Sequence, residues 1–186
     1  MEKYTYTHGW FLSSEIRQNI LKFINPIEKH NILEIGSYEG LSACFFSDNL
    51  LSNEGSTLTC VDPFDISDTT TPLTTSTKDI FLRNIDKSNN KNKITFWQMY
   101  SNDFFIINNE KYDFIYIDGS HLEKDVMNDM TEADKVLVIG GIMWMDDYLG
   151  GSDDTIKKTM DKFIEDNNGK YITIHSGYQL ALRKLV

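Results

Sequence analysis

Ile115-Tyr116-Ile117-Asp118-Gly119-Ser120-His121 and, one helix further on, Gly140-Gly141-Ile142-Met143-Trp144-Met145-Asp146-Asp147 are the two stretches that decide the fold. Each reads as a short buried strand running out into aspartate. Between them, Leu122 to Ala133 has the spacing of a helix, with Val126, Met130 and Ala133 on its apolar side. Strands joined through a helix lie parallel and finish on the same edge of a sheet, so Asp118, Asp146 and Asp147 are predicted to converge. Crowded carboxylates repel one another unless a cation neutralises them, and an all-oxygen ligand set favours a hard ion such as Mg²⁺ or Ca²⁺.

The same alternation extends in both directions. Upstream, Ser13 or Ser14 can cap a helix carrying Ile16, Ile20, Phe23 and Ile24, which Asn25-Pro26 ends. A strand over Asn31–Ile35, a glycine turn and a helix of roughly ten residues follow, and a second strand, Thr57–Val61, runs into Asp62-Pro63. Residues 64–78 form a polar loop, either a mobile cover over a site or a plain surface loop. A helix over Asp79–Lys87, a strand over Ile94–Met99 and a short helix after Ser101 lead to the strand Asp113–Asp118. Downstream, Ser152-Asp153-Asp154 can cap a helix reaching about Asp166, and Tyr171–His175 with Gln179–Val186 reads as a hairpin. Repeated βα units closed by a hairpin predict an α/β fold, a doubly wound and mostly parallel sheet with a C-terminal antiparallel hairpin. Ligands bind such sheets at the carboxyl ends of the strands, where the aspartates stand.

The chain of 186 residues fits a single domain over 1–186, with 1–29 as an N-terminal helical segment. A formal charge of −10 and the lack of a basic stripe argue against a nucleic-acid partner. The first residues lack the apolar run of a signal peptide, and no stretch is long enough to span a membrane, so a cytoplasmic location is expected. Cys44 and Cys60 fall inside predicted elements and read as buried thiols. A homo-oligomer is compatible with all of this.

Leu33-Glu34-Ile35-Gly36-Ser37-Tyr38-Glu39-Gly40 approaches the dinucleotide-binding fingerprint but has Tyr38 where its middle glycine should let a pyrophosphate close. That disfavours NAD or FAD. S-adenosylmethionine, which has no phosphates, suits such a turn: helix-end N–H groups around Ser37 can receive its carboxylate, Glu34 can orient its polar groups, and Asp62 is placed for both ribose hydroxyls.

With Glu34-x-Gly36-Ser37-x-x-Gly40, Val61-Asp62-Pro63, Asp118-Gly119-x-His121 and Gly140-Gly141-x-x-x-x-Asp146-Asp147-Tyr148 in order, the chain resembles the class I S-adenosylmethionine-dependent methyltransferases. More narrowly, it resembles the Mg²⁺-dependent macrocin and mycinamicin type of sugar O-methyltransferase, over about residues 30–150. The resemblance implies a Rossmann-like methyltransferase fold with a seven-stranded sheet. It further implies that Glu34, Gly36, Gly40 and Asp62 hold the cofactor, that Ser101 lies near the adenine, that Asp118, Asp146 and Asp147 bind Mg²⁺ or a similar divalent cation, and that His121 is the general base. Met99 and Leu122 depart from the pattern, standing where relatives often carry glycine and tyrosine.

The expected activity is therefore metal-dependent O-methylation of a hydroxyl on a sugar or another small diol. The alternative is a catalytically silent module that binds S-adenosylmethionine and acts through a partner. Plainer readings stand beside several residues: Asp118 as a helix cap, Asp153 and Asp154 as caps, His121 as a solvated helix-start residue, His30 and His175 as structural. His8 either lines the acceptor pocket or packs the N-terminal segment, and Trp97 with Phe104-Phe105-Ile106-Ile107 is expected in the core.

Overall fold

The computed structural model describes residues 3–64, 76–150 and 154–186. Most of the loop expected over 64–78, and Ser152 and Asp153 of the expected helix cap, lie outside the described residues. After α1 (Ser14–Phe23), the chain alternates β1 (Asn31–Ile35), α2 (Leu41–Leu50), β2 (Thr57–Val61), α3 (Thr77–Lys87), β3 (Ile94–Trp97) and α4 (Ser101–Ile107). It continues through β4 (Tyr112–Ile117), α5 (Glu123–Val136), β5 (Leu137–Met145) and α6 (Thr155–Asp166) to the hairpin β6 (Tyr171–Ser176) and β7 (Leu180–Lys184). The strands make one seven-stranded sheet in the order β3-β2-β1-β4-β5-β7-β6. The first five are parallel, and β7 runs antiparallel to both β5 and β6. This is the expected doubly wound, Rossmann-like architecture with its antiparallel C-terminal hairpin.

The central strands β1, β2, β4 and β5 are largely buried on both faces, and their two-residue period sorts their side chains into two cores. Ile32, Leu58, Cys60, Phe114, Tyr116 and Trp144 pack on Ile20 of α1, Phe46 of α2 and Phe81 of α3. The alternate residues Leu33, Ile35, Val61, Ile115, Ile117 and Met143 pack on Val126 and Met130 of α5 and Met160 of α6. Burying each such side chain contributes roughly 1.5–3 kcal/mol, which holds helices on both sides of the sheet.

Three expectations change. Trp97 is 40% exposed and Ile106 81% exposed, so of the aromatic and apolar cluster at 104–107 only Phe104 is fully in the core. The reason is position: β3 is the edge strand, and the short α4 has one face to bury. Asp154 stands at the N-cap of α6 but makes no capping hydrogen bond through its side chain, and the same is true of Ser13 before α1. By contrast His30 bonds Asp113 Oδ1 (2.8 Å) and the Asn25 carbonyl (2.7 Å), and His175 stacks on Trp144 with ring centroids 5.3 Å apart. Cys44 and Cys60 are free and buried.

Hydrogen bonding continues one residue past four of the five parallel strands, β1, β2, β4 and β5. Asp118 N–H donates to Ile35 O (2.8 Å), Gly36 N–H to Val61 O (2.9 Å), Asp62 N–H to Trp97 O (3.1 Å) and Asp146 N–H to Ile117 O (3.0 Å). Those bonds bring four of the expected site residues into one row. The strand order reverses between β1 and β4, which opens the crevice of such sheets at that edge.

Candidate active site

The β1–α2 turn is pressed against the end of β4. Gly36 has φ +84°, and a Cβ there would lie 1.9 Å from the Asp118 carbonyl oxygen, so no other residue fits. Glu34, fully enclosed, accepts hydrogen bonds from the hydroxyls of Ser37 (2.5 Å) and Ser42 (2.6 Å). Burial pushes its pKa up to about 7, against those two bonds. Glu34 thus shapes the turn from inside the protein. Asp62, also buried, accepts from the backbone N–H groups of Ser37 (2.9 Å) and Tyr38 (2.8 Å) on one oxygen and of Phe64 (2.6 Å) on the other. These bonds hold Tyr38 in the left-handed region at φ 48°. Gly40, likewise left-handed, starts α2.

Ser101 opens α4, and its hydroxyl donates to Asp129 Oδ1 (2.5 Å). Asp129 shares the buried stripe of α5 with Val126, Met130 and Ala133, and burial pushes its pKa up to about 6. A carboxylate inside an apolar stripe is the signal by which sequence reading could have found it.

At the other end of the row, Asp118, His121 and Asp147 each offer a ligand atom, and those atoms all lie within 4.8 Å of one another. Donors around one divalent ion at ~2.0–2.6 Å sit at most ~4–5 Å apart, so this trio matches the size of a coordination shell. An imidazole in the set would favour a transition ion over Mg²⁺. The expected trio of Asp118, Asp146 and Asp147 is not the one that clusters this way. Asp146 Oδ1 instead accepts from the side-chain amide of Gln179, while His121 Nε2 approaches Asp147 Oδ2 at 3.0 Å. Asp146 still lines, with Asp118 and His121, a cavity of about 10 Å³, roughly the volume that holds one water-sized occupant.

Burial, then Asp146 and Asp147, push the Asp118 pKa well above the usual carboxylate range. Burial also raises Asp146 to about 6, against the Gln179 hydrogen bond. The bond from His121 lowers Asp147, and the same pairing raises His121. Asp147 has φ 59°, a strained conformation that aspartate tolerates better than most residues.

Sequence reading missed Tyr178 and Gln179 in the hairpin turn. The Tyr178 hydroxyl donates to Asp147 Oδ1, and Gln179 is 1% exposed. It also missed the strap formed by the N-terminal segment: Glu39 accepts from Thr7 N–H (2.6 Å) and hydroxyl (2.6 Å), and Asn84 brackets the Thr5 backbone. His8 stacks on Trp10 at 4.5 Å, and its Nδ1 lies 3.3 Å from the Tyr38 hydroxyl, so it packs the segment against the glycine turn. A separate cavity of about 470 Å³ lies between this segment and the outer side of α2, with none of the strand-end aspartates in its lining.

The model of a methyltransferase domain family matches residues 33–148, more than half of the chain, which therefore belongs to that family. The fold is similar to that of an O-methyltransferase from Bacillus cereus in complex with S-adenosylhomocysteine (16% identity, TM-score 0.66, covering 97% of this chain and 84% of that one). It is also similar to a Klebsiella pneumoniae protein provisionally assigned as an O-methyltransferase (13% identity, TM-score 0.71, 97% and 84% coverage). A third similar fold is the ribosomal protein L11 methylase of Lactobacillus delbrueckii subsp. bulgaricus (14% identity, TM-score 0.61, 96% and 81% coverage). No curated protein sequence matches the chain. Among the described residues no helix is long and apolar enough to cross a membrane.

Proposed function

We propose that the protein is an S-adenosylmethionine-dependent, divalent-metal-dependent O-methyltransferase that acts on a hydroxyl of a sugar or another small diol, as in the macrocin and mycinamicin type. The carrying observation is the approach of the Asp118 and Asp147 carboxylates, with the His121 imidazole beside them, at the carboxyl edge one strand from the glycine turn. The neighbours described as O-methyltransferases, one with S-adenosylhomocysteine and one from Streptomyces achromogenes with S-adenosylmethionine, support the same chemistry.

The residues present suit both groups. The Gly36–Gly40 turn has room for backbone approach because Gly36 has no side chain, and Asp62 at the end of β2 is the acidic group suited to ribose hydroxyls. Ser101, at the first residue of α4 on the neighbouring strand's exit, suits the adenine end. Asp118 and Asp147, with Asp146 lining the same small cavity, supply the carboxylates a divalent cation requires. When bound, the sulfonium carries an already activated methyl group and the cation lowers the pKa of an acceptor hydroxyl.

The chain's own contribution is alignment and proton removal. The glycine turn and the aspartates fix two reactants side by side, which replaces a bimolecular encounter by a positioned one. His121 is the base that takes the hydroxyl proton at Nε2. In the structure that nitrogen faces Asp147, which keeps the imidazole protonated to higher pH. Asp147 would hold the cation, and with its charge so balanced His121 would lie nearer its ordinary value and could accept a proton near pH 7.

Calorimetry with S-adenosylmethionine, with and without Mg²⁺ or Mn²⁺, followed by an S-adenosylhomocysteine release assay over sugars and catechols, tests the reading. Binding of cofactor and cation with turnover on a diol supports it. Turnover that is unchanged by chelation removes the metal from it.

A further inference from the structure

The hairpin turn reaches both strand-end aspartates at once. The Tyr178 hydroxyl donates to Asp147 from the exposed side, while Gln179 reaches Asp146 from within the core. The orientation of the Gln179 amide is dictated by its neighbours. Trp144 Nε1–H is only a donor, and it lies 2.7 Å from Gln179 Oε1, so the carbonyl must face the indole. The amide nitrogen then points the other way, giving its two hydrogens to Tyr116 Oη (3.1 Å) and Asp146 Oδ1. The Tyr116 hydroxyl, accepting from Gln179, fixes the second hydrogen of the amide. Trp144 and Tyr116 are fully buried register partners on β5 and β4, and Gln179 leads into β7 on the far side of β5.

A buried amide with every donor and acceptor used is costly to turn, since each broken bond leaves an unsatisfied group in the core. We infer that Gln179, with Tyr116, is a positioning residue: it commits one oxygen of Asp146 to the core, leaves the other for the cavity the side chain lines, and so sets the affinity of the site for a divalent cation. The inference rests on the metal-dependent reading above. It assigns Asp146 a fixed geometry that Asp147, held by the hydroxyl of an exposed tyrosine and by an exposed imidazole, does not have. The strand-end aspartates then divide the work, with one locked by the fold and one adjustable.

The test is a Mn²⁺ titration followed by electron paramagnetic resonance on the whole chain, comparing wild type, Gln179→Met, Asp146→Asn and the double variant. S-adenosylhomocysteine affinity serves as the folding control. The expected result is at least a ~10-fold weaker Mn²⁺ affinity for Gln179→Met, with the double variant no weaker than Asp146→Asn alone, because Gln179 acts through that carboxylate. A merely structural role lowers the melting temperature and leaves Mn²⁺ affinity unchanged, or adds its effect to that of Asp146→Asn; either outcome overturns the inference. Should Gln179→Met fail to fold, Tyr116→Phe, which removes one hydroxyl and preserves shape, carries the same comparison with the same two outcomes. A wild type that binds no Mn²⁺ instead overturns the metal-dependent reading itself, and the inference with it.

Discussion

The two halves of the carboxyl edge treat their acids in opposite ways. At the glycine turn, Glu34 and Asp62 are surrounded by donors from the turn itself and from the residue two beyond Asp62: two serine hydroxyls and the backbone N–H groups of Ser37, Tyr38 and Phe64. At the ends of β4 and β5 the donors come from distant parts of the chain, His121 and Tyr178 for Asp147 and Gln179 for Asp146, and Asp118 rises well above the usual carboxylate range because of burial and of its two neighbours. The contrast separates a half completed by its own chain from a half whose charges call for something else. A turn that must hold a cofactor benefits from being preformed. Asp118, whose charged form is opposed by burial and by its neighbours, is poised to gain from a cation, since neutralising the cluster relieves that opposition.

Substitutions can break that comparison. The largest effect is expected for His121→Ala, which should reduce turnover by ~10²–10⁴-fold while cofactor affinity, measured by calorimetry, stays unchanged. An unaltered rate would remove His121 from the chemistry and leave it as a candidate ligand.

Next comes the pH dependence of Glu34. Its pKa is about 7 in the fold against an ordinary 4.5, so the folded chain binds this proton more tightly than the unfolded chain. Its contribution is fully present below pH 4.5 and is lost as pH rises to about 7, a decline of about 3 kcal/mol. Glu34→Gln, which is uncharged and can still pair with both serines, should flatten that part of the curve in denaturant melts at pH 4.5 and 7.5. Identical slopes for the two proteins would show that Glu34 is ionised in the fold at an ordinary pH.

The smallest effects sharpen the contrast through their opposite signs. At pH 7, Asp62→Ala should destabilise the cofactor-free protein by about 1–3 kcal/mol, because three backbone donors lose their acceptor. Asp118→Asn should stabilise it by on the order of 1 kcal/mol, because a repelling charge is removed. Two substitutions of the same sign would mean that the halves of the edge do not differ as described.

Much of this was legible in the chain because it is encoded at short range. The βα alternation, the glycine turn after β1 and the aspartates that follow β2, β4 and β5 follow from local spacing, and the bounds of β1 and β2 coincide with those read from the sequence. Trp97 was misplaced because whether a strand is central or at the edge is a property of the whole sheet. Asp129 was overlooked because its partner Ser101 lies 28 positions away.

The sequence by itself determined which residues stand at the strand ends and which faces are apolar, since a period of two along a strand and the turn that follows it are set by nearest neighbours. Only the tertiary structure decided how the three carboxylates divide their roles. Gln179 reaches Asp146 across 33 residues, and Tyr178 reaches Asp147 across 31, because the terminal hairpin inserts antiparallel beside β5. The direction of a side chain at a crowded edge depends on which donors the neighbouring strand delivers, and that is settled only when the strands have paired.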